Sequence, residues 1–244
     1  MYRPVLFSNG IPNEFRGLSK RVSISIDCCE YDKDADFKVL IQIEPHRTLN
    51  VPNNVFDLIL GWKEALLELP NSRKFVFGDC WIDLYSFKSD KKNEISLLTS
   101  NKNFLPGHNL RHEAFDLLNY GVDGFSVRTV RTPPRIESKH EIFENAKFSV
   151  IIENMSYDNY FTEKLVDCLI TRTIPIYWGC PNIGEYFDTS GMLIFNDMSE
   201  LGNILHNLSP DLYDNSLEII ENNYKKSLEY QDFFVRVEKE IENV

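Results

Sequence analysis

No apolar run in this 244-residue chain approaches the roughly 20 residues needed to span a bilayer. The opening Met1-Tyr2-Arg3-Pro4 lacks the long apolar region of a secretory signal. Cysteine is sparse and unpatterned: Cys28, Cys29, Cys80, Cys168 and Cys180 form an odd set of five, with one adjacent pair and no C-x-x-C. Neither a disulfide framework nor a zinc site is indicated, and reduced thiols are expected. Positive charge is also short, with 26 Lys and Arg against 37 Asp and Glu and a net charge of −11. That balance argues against nucleic acid as a general partner. It does not exclude one small anionic ligand, because local field governs a single site. No internal repeat or low-complexity segment is found.

What is present suits a soluble globular protein, since a 43% hydrophobic composition can fill a proper core. Short β-branched and aromatic runs at 21–26, 37–43, 55–60 and 74–77 read as strands, with a helix over 62–69. The charged stretch 88–94 has the composition of a linker or exposed loop. A strand at 95–99, an amphipathic helix at 109–119 and a strand at 123–127 follow, and Thr132-Pro133-Pro134 breaks regular structure. A strand at 192–195 precedes a mostly helical remainder from about residue 199 to 244. Strands alternating with helices predict an α/β protein with doubly wound parallel sheets in two units. The expected division is 1–90, 91–225, and a C-terminal helix at 226–244 that packs back on the first unit.

The most informative stretch is 148–179, FSVIIENMSYDNYFTEKLVDCLITRTIPIYWG. It reads as a buried strand, a polar loop, a helix whose first turn carries Thr162-Glu163-Lys164, and a second buried strand. A parallel β-loop-α-β unit places a helix N-terminus at the carboxyl edge of a sheet, where α/β proteins bind phosphate-bearing ligands. A helix start leaves about four backbone N–H groups unpaired and carries roughly half a positive charge. Lys164 adds a full charge suited to a diphosphate. Glu163 would repel phosphate unless it points elsewhere, and vicinal ribose hydroxyls are its natural partners. Taken alone, Thr162 and Glu163 also read as an ordinary N-cap and a residue complementing the helix dipole.

Ile151-Ile152-Glu153-Asn154, Tyr160-Phe161-Thr162-Glu163-Lys164 and Ile174-Pro175-Ile176-Tyr177-Trp178-Gly179 resemble, in order and spacing, the donor-binding block of the family-10 glycosyltransferases, the α-1,3/4-fucosyltransferases, and the bacterial members especially. The resemblance implies a GT-B-like fold, two facing Rossmann-type domains, here with a shortened N-terminal domain. It implies an inverting transfer of fucose from GDP-fucose to a saccharide hydroxyl. Asn154 becomes a donor-binding candidate and Tyr160 an aromatic near the donor. Glu153 is either a further donor contact or a buried hydrogen-bond acceptor. Asn109-Leu110-Arg111-His112-Glu113 resembles the segment whose arginine holds the donor pyrophosphate, a task suited to the planar guanidinium fork of Arg111. Arg128 aligns with a basic position of the donor loop.

The chemistry also needs a base to take the acceptor hydroxyl's proton. Lys38-Val39-Leu40-Ile41-Gln42-Ile43-Glu44 followed by Phe56-Asp57-Leu58-Ile59-Leu60-Gly61-Trp62 resembles the family segment that supplies it, and Glu44 is the matching residue. Arg111 and Lys164 would stabilise the departing diphosphate, so no cofactor or obligatory metal is expected. Two patterns with metal-ligand character fall short of a site. His108 and His112 have i, i+4 spacing but no third ligand. Asp32-Lys33-Asp34-Ala35-Asp36 lacks the glycine of a calcium loop and precedes a strand instead of ending one, so a solvated turn accounts for it. The acidic C-terminal stretch lacks a basic amphipathic tail, which predicts a cytoplasmic or loosely membrane-associated protein. The alternatives are the same chemistry with another nucleotide sugar, or a non-catalytic nucleotide-sugar- or glycan-binding remnant. Acceptor identity, linkage and oligomeric state are not written in these motifs.

Overall fold

The computed structural model describes residues 12–13, 21–87, 89–133 and 138–244, and the chain divides into two units, Met1–Phe77 with Phe233–Val244, and Gly78–Asp232. The first contains β1 (Pro12–Asn13), β2 (Val22–Ile26), β3 (Phe37–Ile41), β4 (Leu58–Gly61), α1 (Glu64–Leu67) and β5 (Ser72–Lys74). Its sheet runs β1-β2-β3-β4-β5, parallel except for the antiparallel β1. Every residue of β2 and β4 is buried because both faces of the sheet are covered, which explains continuous apolar runs in place of alternation. Val39, Ile41, Leu58 and Leu60 face one core, while Leu40, Phe56, Ile59 and Leu66 form the other. The expected strand at 55–60 therefore starts late: Phe56 drops into the second core ahead of Leu58. The helix expected over 62–69 is only α1, and the strand expected at 74–77 is displaced to β5, which shares only Lys74 with it.

The second unit contains β6 (Lys92–Ser100), α2 (Pro106–Leu118), β7 (Ser126–Thr132), α3 (His140–Phe143), β8 (Ala146–Ile152), α4 (Glu163–Ile170), β9 (Ile174–Trp178), β10 (Leu193–Ile194), α5 (Met198–Asn207), α6 (Asp211–Asn215) and α7 (Leu217–Ser227). Its sheet is parallel throughout, in the order β10-β9-β8-β6-β7. Lys92 to Glu94, read from composition as linker, belong to β6 because pairing with Ala146 and Ser126 recruits them. The strand expected at 123–127 is displaced to β7, since Asp123 and Gly124 form the turn before it and Gly124 has φ +80°. Phe148, Val150, Ile174 and Ile176 build the core with Ala114, Leu118, Leu201 and Leu205. The last helix, α8 (Phe233–Glu242), belongs to the first unit, where Phe233, Val237 and Ile241 recur at helical spacing and pack in its core.

From β6 the chain passes through α2 to β7 on one side, then returns through α3 to β8 on the other. The direction of winding reverses between β6 and β8. In open α/β sheets the ligand crevice lies outside the carboxyl ends of the strands at such a reversal. Among the described residues, no helix is long and apolar enough to cross a membrane. Among them, too, no group of three or more His, Cys, Asp or Glu side chains is placed to hold a metal ion.

Candidate functional site

Glu153 and Asn154 leave the sheet at the carboxyl end of β8, beside the reversal point. Two glycines let the backbone close around them. A Cβ on Gly107 would lie 1.7 Å from the Glu153 carbonyl oxygen, and one on Gly179 would lie 2.7 Å from Glu153 Cγ and 2.6 Å from the Tyr177 hydroxyl. The Gly107 N–H donates to the Asn154 carbonyl at 3.0 Å, so the start of α2 is seated on the strand end.

That seating delivers Arg111. Its guanidinium is buried and donates through Nη1 to the Ile152 carbonyl and through Nη2 to Asn154 Oδ1 at 2.9 Å. Burial lowers its pKa, while the nearby charges of Glu153, Tyr160 and Glu163 act to raise it. Asn154 spends its oxygen on this arginine.

Glu153 is fully buried. Its Oε1 accepts the Thr162 N–H and its Oε2 the Thr162 hydroxyl, both at 2.8 Å. The carboxyl group thus acts as the buried acceptor that fixes the entry to α4. Burial raises its pKa against the opposing pull of Lys164. Thr162 is the N-cap of α4, its Oγ1 accepting the Lys164 N–H at 3.3 Å and Lys164 Nζ at 3.0 Å. The N–H groups of Leu165 and Val166 return to the Thr162 carbonyl. The helix start is therefore largely capped from within, and the side chains of Arg111 and Lys164 carry most of the site's positive charge. Lys164 Nζ lies 3.5 Å from Glu163 Oε1 and 3.6 Å from Glu153 Oε2. Burial pushes the Glu163 pKa up, but Lys164 and Lys139 outweigh it, and Glu163 titrates below the ordinary glutamate range.

The remaining residues singled out from sequence fall differently. Tyr160 is 1% exposed, among the largest fully buried side chains, so its ring lies inside the unit. Arg128 sits in β7 level with Ser96 and Ser149, about 10 Å short of the carboxyl edge given a rise of about 3.3 Å per residue. Its Nε lies 3.6 Å from Glu94, and it does not join Arg111 and Lys164. Glu44 belongs to the first unit and follows β3, partly exposed, with Oε2 3.5 Å from His46 Nδ1. The Asp32–Asp36 run is a turn: Asp32 Oδ1 accepts the Asp34 N–H, and Arg21 pairs with Asp32.

Several residues that shape the site were not assigned to it from sequence. His108 is buried, and its Nδ1 accepts the Leu105 N–H at 3.2 Å. The ring proton is therefore assigned to Nε2. Burial lowers its pKa to about 4, helped by Arg111, Lys102 and Lys164. His112 instead contacts the Lys102 carbonyl, so the two histidines do not share a ligand. Asn159, in the left-handed region at φ +63°, is clamped to Asn182: its N–H donates to Asn182 Oδ1 and its Oδ1 accepts from Asn182 Nδ2. Lys139 reaches Glu163 and Asp167. The glycine after IPIYW was a visible signal, whereas Asn159 and Asn182 lie 23 residues apart and Lys139 stands in no motif.

These features define an α/β, GT-B-like fold built from two Rossmann-type units. The family model for the C-terminal part of glycosyltransferase family 10 (fucosyltransferase) matches residues 88–215, and the chain belongs to that family. The chain is 31% identical over 107 residues to an α-(1,3)-fucosyltransferase of Helicobacter pylori, covering 44% of this chain and 22% of that protein. It is 29% identical over 68 residues to a putative fucosyltransferase of Acanthamoeba polyphaga mimivirus, covering 28% and 11%. The matched segments thus span less than a quarter of either relative. A crystal structure of an α1,3-fucosyltransferase with GDP-fucose superimposes with a TM-score of 0.53 at 21% identity, over 91% of this chain and 82% of that one. The same kind of enzyme with GDP gives 0.53 at 21%, over 93% and 78%.

Proposed function

We propose that this protein transfers fucose from GDP-fucose to a saccharide hydroxyl with inversion at the anomeric carbon. The observation that carries the reading is the convergence of Arg111, Asn154 and Lys164 at the carboxyl ends of β6 and β8, where the sheet reverses direction. Family membership supports the reaction class, and the relative crystallised with GDP-fucose supports the donor. In this reading the forked guanidinium of Arg111 and the ammonium of Lys164 take the diphosphate, without a metal, and Glu163 takes the ribose hydroxyls. Glu153 acts one step back, setting the Thr162 cap that presents Lys164.

The displacement is a single step. The acceptor oxygen bonds to the anomeric carbon as the bond from that carbon to the phosphate oxygen breaks. Glu44 is assigned the hydroxyl proton, and GDP leaves with the electron pair, its charge met by Arg111 and Lys164.

Calorimetric titration with GDP, UDP, CDP and GDP-fucose tests the reading. Selective binding of GDP and GDP-fucose, weakened tenfold or more by Lys164→Ala, about 1.4 kcal/mol, is the expected result. Tight binding of another nucleotide would replace the donor, and no binding at all would refute the donor site.

A further inference from the structure

Glu163 and Asp167 lie one turn apart on α4, and both are buried. Two carboxylates in so dry a place repel, and one of them takes up a proton unless a cation intervenes. Lys139 supplies that cation from the segment before α3. Its Nζ lies 2.7 Å from Asp167 Oδ2 and 3.7 Å from Glu163 Oε1. The other Asp167 oxygen accepts the Trp81 N–H at 2.7 Å, and the Lys139 ammonium also rests 4.3 Å from the centroid of the Trp81 ring. Asp167 and Trp81 hold the ammonium between the two acids. Cys80 adds no charge there, because burial and Asp167 push its thiol up to about 12. The other charges acting around Glu163 are Lys164, Glu153 and Arg111.

We propose that Lys139 is a positioning residue for donor binding: its ammonium separates Glu163 from Asp167 and keeps the Glu163 carboxylate ionised and in place to accept the vicinal hydroxyls of the nucleotide's ribose. The inference rests on the donor site proposed above. Asp167, buried and already using both oxygens, has no direct part in ligand binding and serves as the anchor for Lys139. A purely structural Lys139 would support the fold without affecting how the site reads the ribose.

The experiment compares binding of GDP and 2′-deoxy-GDP by calorimetry in the wild type and in Glu163→Gln, Lys139→Met and Lys139→Arg, with thermal melts to establish folding. The wild type should prefer GDP by about tenfold, the strength of one charge-assisted hydrogen bond. Glu163→Gln and Lys139→Met should both lose that preference, and Lys139→Arg should keep it. Where Lys139→Met fails to fold, Lys139→Gln, which retains a hydrogen-bond donor for Asp167 but no charge, should lose the preference in its place. A folded, neutral Lys139 variant with the full wild-type preference overturns the proposal. An undiminished preference in Glu163→Gln removes the ribose role of Glu163 and the proposal with it, while leaving the diphosphate site intact. A wild type that binds neither nucleotide defeats the donor site itself.

Discussion

The carboxylate of Asp27, at the end of β2, accepts the backbone N–H of Glu44, the proposed base, at 3.0 Å and that of Ile43 at 2.8 Å. Asp27 sits in the left-handed region at φ +52°, which turns its side chain back toward the end of the neighbouring strand. The same short segment is held from its other side. Trp62 Nε1 donates to the Ile43 carbonyl, Lys63 Nζ to the carbonyls of Pro45 and Arg47, and Gln42 Nε2 to that of Arg47. The backbone around Glu44 is thus fixed by side chains from three strand ends. Such rigidity suits a residue whose proton transfer depends on placement.

Asp27→Ala should lower stability by about 1–3 kcal/mol, the cost of leaving buried N–H groups without an acceptor. Asp27→Asn, which keeps one acceptor oxygen, should cost less. Urea unfolding of the two variants checks the order, and equal losses would count against the clamp.

Glu44→Gln should lower kcat by about 10² to 10⁴, the usual share of general base catalysis, with donor affinity unchanged. Steady-state kinetics together with GDP-fucose titration separates the two effects. Turnover near that of the wild type would remove Glu44 from the role.

His108 links pH to stability. Its pKa in the folded protein is about 4, below the usual 6.5, because burial and the charges of Arg111, Lys102 and Lys164 disfavour the imidazolium. A depressed pKa means that the unfolded chain binds the proton more tightly. The stabilisation is complete above pH 6.5 and is lost as pH falls toward 4, up to about 3 kcal/mol. His108→Gln, which can still accept the Leu105 N–H, should be less sensitive to pH by that amount over this interval. Parallel slopes for wild type and variant in urea titrations from pH 4 to 7 would refute the assignment.

The glycines at Glu153 should differ in tolerance. A Cβ on Gly107 meets backbone at 1.7 Å, whereas one on Gly179 meets the side chains of Tyr177 and Glu153 at 2.6 and 2.7 Å. Gly179→Ala should cost about 1–3 kcal/mol, typical of overpacking, and Gly107→Ala more than that or fail to fold. Thermal denaturation decides, and a Gly107→Ala protein as stable as wild type would show that the start of α2 can move off the strand.

Arg111→Lys should weaken GDP binding about tenfold while the protein stays folded, because a point charge cannot serve Ile152, Asn154 and a diphosphate as a planar fork does. Titration with GDP and inorganic phosphate tests this, and unchanged GDP affinity would exclude bidentate binding.

The sequence by itself determined the parts that are local. Thr162-Glu163-Lys164 marked a helix start because an N-cap, its carboxylate neighbour and the first apolar turn lie within a few residues. Buried strands such as β8 and β9 were legible as continuous apolar runs, which a sheet covered on both faces requires. The family block was readable for the same reason, since its three motifs fall within one β-loop-α-β unit.

Tertiary structure decided what depends on sheet order and register. Arg128 and Arg111 both align with basic positions of the family, yet register leaves Arg128 below the edge of β7 while the seating of α2 on Glu153 brings Arg111 to it. Tyr160 reads as an aromatic beside a ligand but is enclosed, because the loop after β8 is tied down through the Asn159–Asn182 clamp. Lys139, Asp167 and Trp81 are far apart in the chain, and their meeting follows from how α4 packs within its unit. Periodicity encodes which face of an element is buried. It does not encode which distant side chain will stand opposite a given carboxylate.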